Sequence, residues 1–147
     1  MKKSRWVLLL ILLLGCEEQE AYQYTVFELG QNTVSPAGEP FGVRITGGDT
    51  IHVNTLSWTD SRCPIDVTCV RYGKYEAELE LSLSGDTALV DLCNGDCNAH
   101  VEIMDSTRFM LQNTYYWIRM RSLLPFPNTG RPNANQNISF EVFLDND

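Results

Sequence analysis

The segment Lys74–Leu83, KYEAELELSL, decides the fold class by its strict alternation of apolar and polar residues. Successive side chains of a β-strand point to opposite faces of a sheet, so a period of two predicts one strand with two unlike faces. The inward face is predicted to hold Tyr75, Ala77, Leu79, Leu81 and Leu83. The outward face is predicted to hold Lys74, Glu76, Glu78, Glu80 and Ser82.

Outside this segment, short runs of β-branched and aromatic residues recur between turn signals such as Gly47-Gly48-Asp49 and Ser84-Gly85-Asp86. No helical period connects them, which favours an antiparallel sandwich or barrel. We predict an all-β, antiparallel β-sandwich, immunoglobulin-like or related, with eight or nine short strands in a single domain over residues 22–147. The candidate strands are residues 22–29, 41–46, 50–58, 74–84, 87–92, 100–104, 108–111, 115–124 and 137–144.

A second alternating run, residues 115–124, places an unusual set of side chains on its outer face. Tyr116, Ile118, Met120 and Leu124 are predicted to point inward, and the outward set is Tyr115, Trp117, Arg119 and Arg121. This stripe has two interpretations. It could bind an envelope protein or a glycan, flanked by the long loop around Phe126 and Asn128 in residues 125–137. It could instead be a structural ladder in which the arginines pair with Glu76, Glu78 or Glu80, and we favour the ladder.

Four cysteines, Cys63, Cys69, Cys93 and Cys97, lie within the predicted domain. An even number in an exported protein indicates disulfides, with three connectivities open. We favour two local bonds, because Asn94-Gly95 is a preferred tight turn that would bring Cys93 and Cys97 together. The alternatives are a crossed pairing and a four-cysteine zinc site assisted by His52 or His100, although the spacing does not match the usual C-x₂-C arrangement.

The segment Asp60–Gly73, DSRCPIDVTCVRYG, carries a family resemblance. It resembles the DSRCPxxVxCxWxG segment of small, uncharacterised bacterial secreted proteins and lipoproteins, with Arg71 in the place of the Trp. The order of the closing elements, residues 118–127 with Pro125 and Pro127 followed by a last strand that contains residues 140–143, is similar to theirs. The resemblance implies an all-β domain and brings no catalytic residues.

Arg62 allows two hypotheses. An arginine beside a disulfide-braced Cys-Pro resembles the reactive loop of a protease inhibitor. The simpler interpretation, which we favour, is a turn in which Asp60 and Ser61 accept backbone N–H bonds and Arg62 bridges strand-end carbonyls or Asp66.

Motifs for catalysis and cofactor binding are absent from the sequence. There is no G-x-S-x-G, no H-E-x-x-H and no P-loop. A calcium site near Asp91–Asp96, from Asp91, Asn94, Asp96 and Asn98, is a weaker alternative to a solvated turn. We therefore predict neither enzyme activity nor a metal or cofactor.

The N-terminus predicts the location of the protein. Lys2, Lys3 and Arg5 precede an apolar run that is too short for the roughly 20 residues of a spanning helix. The run ends in Leu13-Leu14-Gly15-Cys16, which resembles a lipoprotein signal sequence (residues 1–15). The resemblance implies a diacylglycerol on Cys16 and further acylation, such as palmitate, on its new amino group.

The composition and the charge of the chain limit the classes of function it can have. Hydrophobic residues make up 44% of the 147-residue chain, which is typical of a folded domain. Removal of residues 1–15 leaves 8 basic and 19 acidic residues, a net charge of −11, which argues against nucleic-acid binding. Residues 16–21 are predicted to form an acidic tether. We predict an outer-membrane, cell-envelope lipoprotein that faces the periplasm or the cell surface and acts as a binding or interaction module. The alternative is an extracytoplasmic enzyme inhibitor or enzyme.

Overall fold

The computed structural model describes residues 24–97, 105–131 and 135–145, which form β-strands and their connections. None of the described residues belongs to a helix that is long and apolar enough to cross a membrane. The strands of the described part are β1 Thr25–Glu28, β2 Asn32–Pro36, β3 Phe41–Arg44, β4 Thr50–Asp60, β5 Lys74–Leu83, β6 Asp86–Gly95, β7 Ser106–Leu111, β8 Thr114–Leu124 and β9 Asn137–Leu144.

The strands form two sheets, which confirms the predicted all-β sandwich. The five-stranded sheet has the order β1-β3-β4-β5-β6, and the four-stranded sheet has the order β2-β9-β8-β7. All neighbouring strands are antiparallel except β1 and β3, which are parallel. The chain passes from one sheet to the other between β1 and β2 through a turn in which Gly30 N–H donates to the carbonyl of Val142.

The core lies between the two sheets and is built from the alternation of the strands. Every predicted inward residue of β5 is buried. Phe41 of β3 stacks on Phe140 of β9 with ring centroids 5.4 Å apart, which joins the two sheets through offset aromatic packing. The alternation in the sequence therefore places the apolar face of β5 correctly.

The two ends of the sandwich differ. β4 runs from Thr50 at one end to Asp60 at the other, and β5 returns from Lys74 beside Asp60. Both disulfides and the loop between β8 and β9 lie at the end marked by Asp60, which we call the disulfide end. The hairpin turns between β3 and β4, β5 and β6, and β7 and β8 lie at the opposite end.

The structure corrects three local predictions. Strand β2 was not predicted, because its buried positions, Thr33 and Ser35, are polar and Pro36 signals a turn. In β8 a bulge between Met120 and Ser122 shifts the alternation by one residue, so that Leu123 is buried and Leu124 is half exposed. The Asn94-Gly95 pair forms no hairpin turn, because both residues remain in β6 and pair with β5.

Several predictions concern residues outside the described ranges. These are the signal sequence (residues 1–15), Cys16, the acidic tether (residues 16–21), Asn98, His100 and the candidate strand at residues 100–104.

Candidate functional site

The four cysteines form two local disulfides, as predicted. Cys63 is bonded to Cys69 and Cys93 to Cys97, with Cα–Cα distances of 5.9 and 6.1 Å. The crossed pairing and the four-cysteine zinc site are therefore wrong, since no thiolate of these four residues is left to bind a metal. In the described part of the chain, no group of three or more His, Cys, Asp or Glu residues could hold a metal ion.

A buried ion pair between Asp60 and Arg62 anchors the first disulfide loop. The Arg62 Nε and Nη2 atoms donate to the two carboxylate oxygens of Asp60 at 2.9 and 2.8 Å, and the Arg62 backbone N–H donates to Asp60 Oδ1 at 3.0 Å. The Arg62 and Asp60 side chains are only 2% and 0% exposed. The geometry is the two-point, charge-assisted arrangement that makes Arg–carboxylate pairs strong. Asp60 thus caps the turn as predicted, but Arg62 pairs with Asp60 rather than with Asp66.

Two aromatic rings and an amide complete this buried cluster. The Arg62 guanidinium lies 4.9 Å from the ring centroid of Tyr75 and 4.3 Å from that of Phe126, within the range of cation–π attraction. Gln136 Nε2 donates to Asp60 Oδ2 at 2.7 Å and to the carbonyl of Pro125 at 3.1 Å. Strand β4, strand β5 and the β8–β9 loop are therefore joined at one ion pair.

The protonation of Asp60 reflects these contacts. Burial is the largest single influence and raises the pKa of Asp60. The hydrogen bonds from Arg62 and Gln136 and the positive charge of Arg62 act in the other direction and together bring the pKa below its ordinary value. The carboxylate is therefore ionised at neutral pH and serves as the acceptor of the cluster.

Gly73 closes the loop at its second end. Its φ of +81° lies in the left-handed region, and a Cβ at this position would be 2.0 Å from the carbonyl oxygen of Ser61. Its N–H donates to Asp96 Oδ2 at 3.0 Å. Only glycine satisfies both requirements, the positive φ and the close approach of two backbones.

The β8–β9 loop holds the first disulfide loop from the side. The Ile65 N–H donates to the carbonyl of Pro127 at 3.0 Å. The Asp66 carboxylate accepts hydrogen bonds from the Thr129 N–H at 3.0 Å and from the Thr129 hydroxyl, which lower the pKa of Asp66. Residues 61–73 are thus fixed by a disulfide, an ion pair and backbone contacts.

This rigid loop nevertheless exposes apolar side chains. Ile65 is 70% exposed, Val67 46%, Tyr72 53%, and Val70 is fully exposed. Four such side chains within eight residues make the loop the most concentrated exposed apolar segment of the described chain. Clustered apolar exposure of this kind is typical of contact surfaces, whereas single exposed apolar residues are ordinary.

The protease-inhibitor hypothesis requires an accessible Arg62. A reactive-loop arginine must project into a pocket of the protease. Here the guanidinium is buried, bonded to Asp60 and covered by two rings. This geometry favours the structural interpretation of Arg62.

The predicted stripe, Tyr115, Trp117, Arg119 and Arg121, lies on the outer face of the four-stranded sheet. Its members contact neighbours within that sheet. Arg121 Nε donates to Glu141 Oε2 at 2.9 Å, Trp117 Nε1 donates to Asp145 Oδ1 at 3.1 Å, and Arg108 pairs with Asp145. The Arg108 and Arg119 guanidiniums lie 4.0 and 5.5 Å from the ring centroids of Tyr115 and Phe143.

These contacts support a ladder but correct its partners. Glu76, Glu78 and Glu80 are on β5 in the other sheet and do not face the arginines. Lys74 pairs with Glu76 at 2.7 Å, and Ser57 donates to Glu78 at 3.3 Å. Phe126 does not flank the stripe either, because it packs on Arg62. The acidic partners of the stripe, Glu141 and Asp145, had no alternation signal that identified them.

A cleft of about 370 Å³ opens between the two sheets at the opposite end of the sandwich. It is lined in part by Ile45, Asp49, Leu83 and Leu144.

Of the proposed calcium ligands, the Asp96 carboxylate accepts a hydrogen bond from the Gly73 N–H. Asp91 and Asn94 point to opposite faces of β6.

No protein-family model, no curated protein and no solved structure matches this chain.

Proposed function

We propose that this chain is a lipid-anchored binding module of the bacterial cell envelope. In this proposal a lipid on Cys16 holds the protein at the outer membrane, and the disulfide end contacts the partner. No cofactor or catalysis is part of the proposal. The stripe on the four-stranded sheet has a structural role, because Arg121 pairs with Glu141 and Arg119 lies over the ring of Phe143 within the sheet.

The proposed location rests on sequence and on redox chemistry. The Leu13-Leu14-Gly15-Cys16 sequence follows a basic and then an apolar segment, which is the arrangement of lipoprotein signals. Two disulfides within one small domain are typical of oxidising compartments such as the periplasm or the cell surface.

The observation that carries the binding role is the exposure of Ile65, Val67, Val70 and Tyr72 on a loop that cannot collapse onto the domain. The Cys63–Cys69 bond and the Asp60–Arg62 pair fix the loop. Such a surface loses little conformational entropy when it binds, because it is already ordered.

The location is tested by mass spectrometry of the protein expressed in a Gram-negative host. We expect a diacylglyceryl group on Cys16, a mature chain that begins at Cys16, and no lipid on the Cys16→Ser variant, because serine cannot form the thioether. Unmodified Cys16 in the wild-type protein would contradict the proposal.

The binding role is tested with a photo-crosslinking amino acid at Val70 in living cells, with Leu89 as the matched control. Leu89 is 66% exposed on β6, and about 20 Å of strand separate it from the disulfide end. We expect adducts at Val70 that are absent at Leu89. Equal yields at the two positions would contradict a contact surface at the disulfide end.

A further inference from the structure

We propose that the partner of the disulfide end is the lipid surface itself, so that residues 65–72 make a second contact with the membrane that carries the anchor. The inference rests on the proposed function, since it requires the lipid on Cys16. It names the partner of the same surface.

β1 runs from the side of the disulfide end toward the opposite end of the sandwich. Thr25 pairs with Phe41, which pairs with Val53, whereas Glu28 pairs with Arg44 at the opposite end of the sandwich. The chain therefore enters β1 from the side of the disulfide end. From the level of Val53 to Asp60, seven residues of β4 span about 23 Å.

The chain before β1 is long enough to span the distance to the level of Asp60. Nine peptide units separate Cys16 from Thr25, and an extended chain of that length reaches at most about 30 Å. A lipid on Cys16 thus keeps the domain within reach of the bilayer, and the disulfide end can meet the lipid surface without a reversal of the chain.

The exposed side chains suit a lipid interface. Val70 and Ile65 are aliphatic and suited to the boundary of the acyl chains, while Tyr72 has an apolar ring with a polar tip of the kind found at headgroup level. Arg71, exposed between Val70 and Tyr72, offers a cation to lipid phosphates.

The charge at the disulfide end is mixed. Asp60 is paired with the buried Arg62, and Arg71 is an exposed cation, while Asp66 and Asp96 are exposed carboxylates that accept hydrogen bonds from Thr129 and Gly73. At the opposite end, Asp49 is exposed in the turn between β3 and β4. The exposed apolar side chains, and not the charge, therefore carry the proposed lipid contact.

The test uses the full lipidated protein in vesicles of phosphatidylethanolamine with a minority of phosphatidylglycerol. A photo-crosslinking amino acid replaces Val70 in one variant and Leu89 in the other, and both positions are exposed, so neither replacement disturbs the core. Flotation with the vesicles and mass spectrometry of Cys16 establish that each variant is anchored. The adducts are then identified as lipid or protein by mass.

We expect about tenfold more lipid adduct at Val70 than at Leu89, because a side chain in the interface meets lipid throughout the illumination. Equal lipid adducts in anchored protein would overturn the inference. A Val70 adduct to a second copy, or to another protein in cells, would also overturn it and would leave the proposed binding role intact. A chain that lacks diacylglycerol would overturn both the inference and the proposed function.

Discussion

The carboxylate of Asp60 and the guanidinium of Arg62 form a two-point ion pair in which neither side chain is accessible to water. Burial of two charges costs solvation, and the attraction offsets this only while both partners are present. We therefore expect Asp60→Asn to lower the free energy of unfolding by about 3 kcal/mol or more, measured by equilibrium unfolding in urea.

The matched control is Glu28→Gln. Glu28 pairs with Arg44 at 3.1 Å, but both side chains are more than half exposed. Loss of this ion pair is expected to lower the free energy of unfolding by less than about 1 kcal/mol. Similar losses for the two variants would contradict the role of burial in the Asp60–Arg62 pair.

The depressed pKa of Asp60 predicts a dependence of stability on pH. A carboxyl group whose pKa is lower in the folded state contributes stability that is fully present above its unfolded pKa of about 4 and is lost as the pH falls through the folded value. The difference in unfolding free energy between the wild type and Asp60→Asn should thus be constant from neutral pH to about pH 5 and shrink below about pH 4. Urea midpoints across this range measure it, and a difference unchanged at about pH 3 would exclude the linkage.

Alanine substitutions at Gly73 and Gly30 distinguish the cost of steric crowding from the cost of a left-handed backbone conformation. Their φ angles are +81° and +78°, but only at Gly73 would a Cβ meet backbone atoms. Gly30→Ala is expected to cost about 1 kcal/mol for the left-handed conformation alone. Gly73→Ala should cost about 3 kcal/mol, since the backbone at Ser61 and Arg62 must also move away from residue 73. Comparable melting temperatures for the two variants would show that the backbone at Ser61 can move aside and relieve the clash.

The two disulfides close short loops, of sequence separation 6 and 4. Short loops restrict the unfolded chain least, so the paired Cys63→Ser and Cys69→Ser variant should lose only about 2 kcal/mol. Peptide mapping without reduction should find Cys63 joined to Cys69 and Cys93 joined to Cys97. Alkylation of two thiols in the unreduced native protein would contradict this pairing.

The ladder on the four-stranded sheet predicts a specific energetic coupling. A double-mutant cycle of Arg121→Ala and Glu141→Ala should give a coupling energy of about 0.5 kcal/mol, because the two side chains are hydrogen-bonded but partly exposed. The cycle of Arg121→Ala with Glu78→Ala should give no coupling energy, since these residues lie on different sheets. Coupling to Glu78 would indicate a different arrangement of the strands.

The sequence predicts the fold where alternation and burial coincide. The apolar positions of β5 are unambiguous because each one faces the core. The sequence does not predict β2, because its inward positions are polar. The Thr33 hydroxyl is satisfied by a hydrogen bond to the Phe140 carbonyl, which only the assembled sheet provides. In β8 the bulge beside Arg121 reverses the alternation, and no local signal marks it.

The site was predictable only in its local parts. The Asp60 cap follows from turn chemistry between neighbours in sequence, and the Cys63–Cys69 bond follows from its short loop. The sequence predicts the Cys93–Cys97 bond from an Asn94-Gly95 turn that the structure does not contain, so only the short spacing of these cysteines supports it. Gln136 is 76 residues from Asp60, and their contact depends on how the β8–β9 loop folds over β4. For the same reason the partners of Arg121 could not be assigned, since the sequence does not state which strands share a sheet.

The parallel pairing of β1 with β3 has a mechanical consequence. A pull on Tyr24 along the axis of β1 loads the four residue pairs between Thr25 and Glu28 in shear, so they must yield together rather than one after another. The turn at Gly30 passes any remaining force to β2, whose five residues are paired with β9 in the other sheet. Tension that enters at Tyr24 therefore loads the β1–β3 pairing in shear first and reaches the β2–β9 pairing of the other sheet after it.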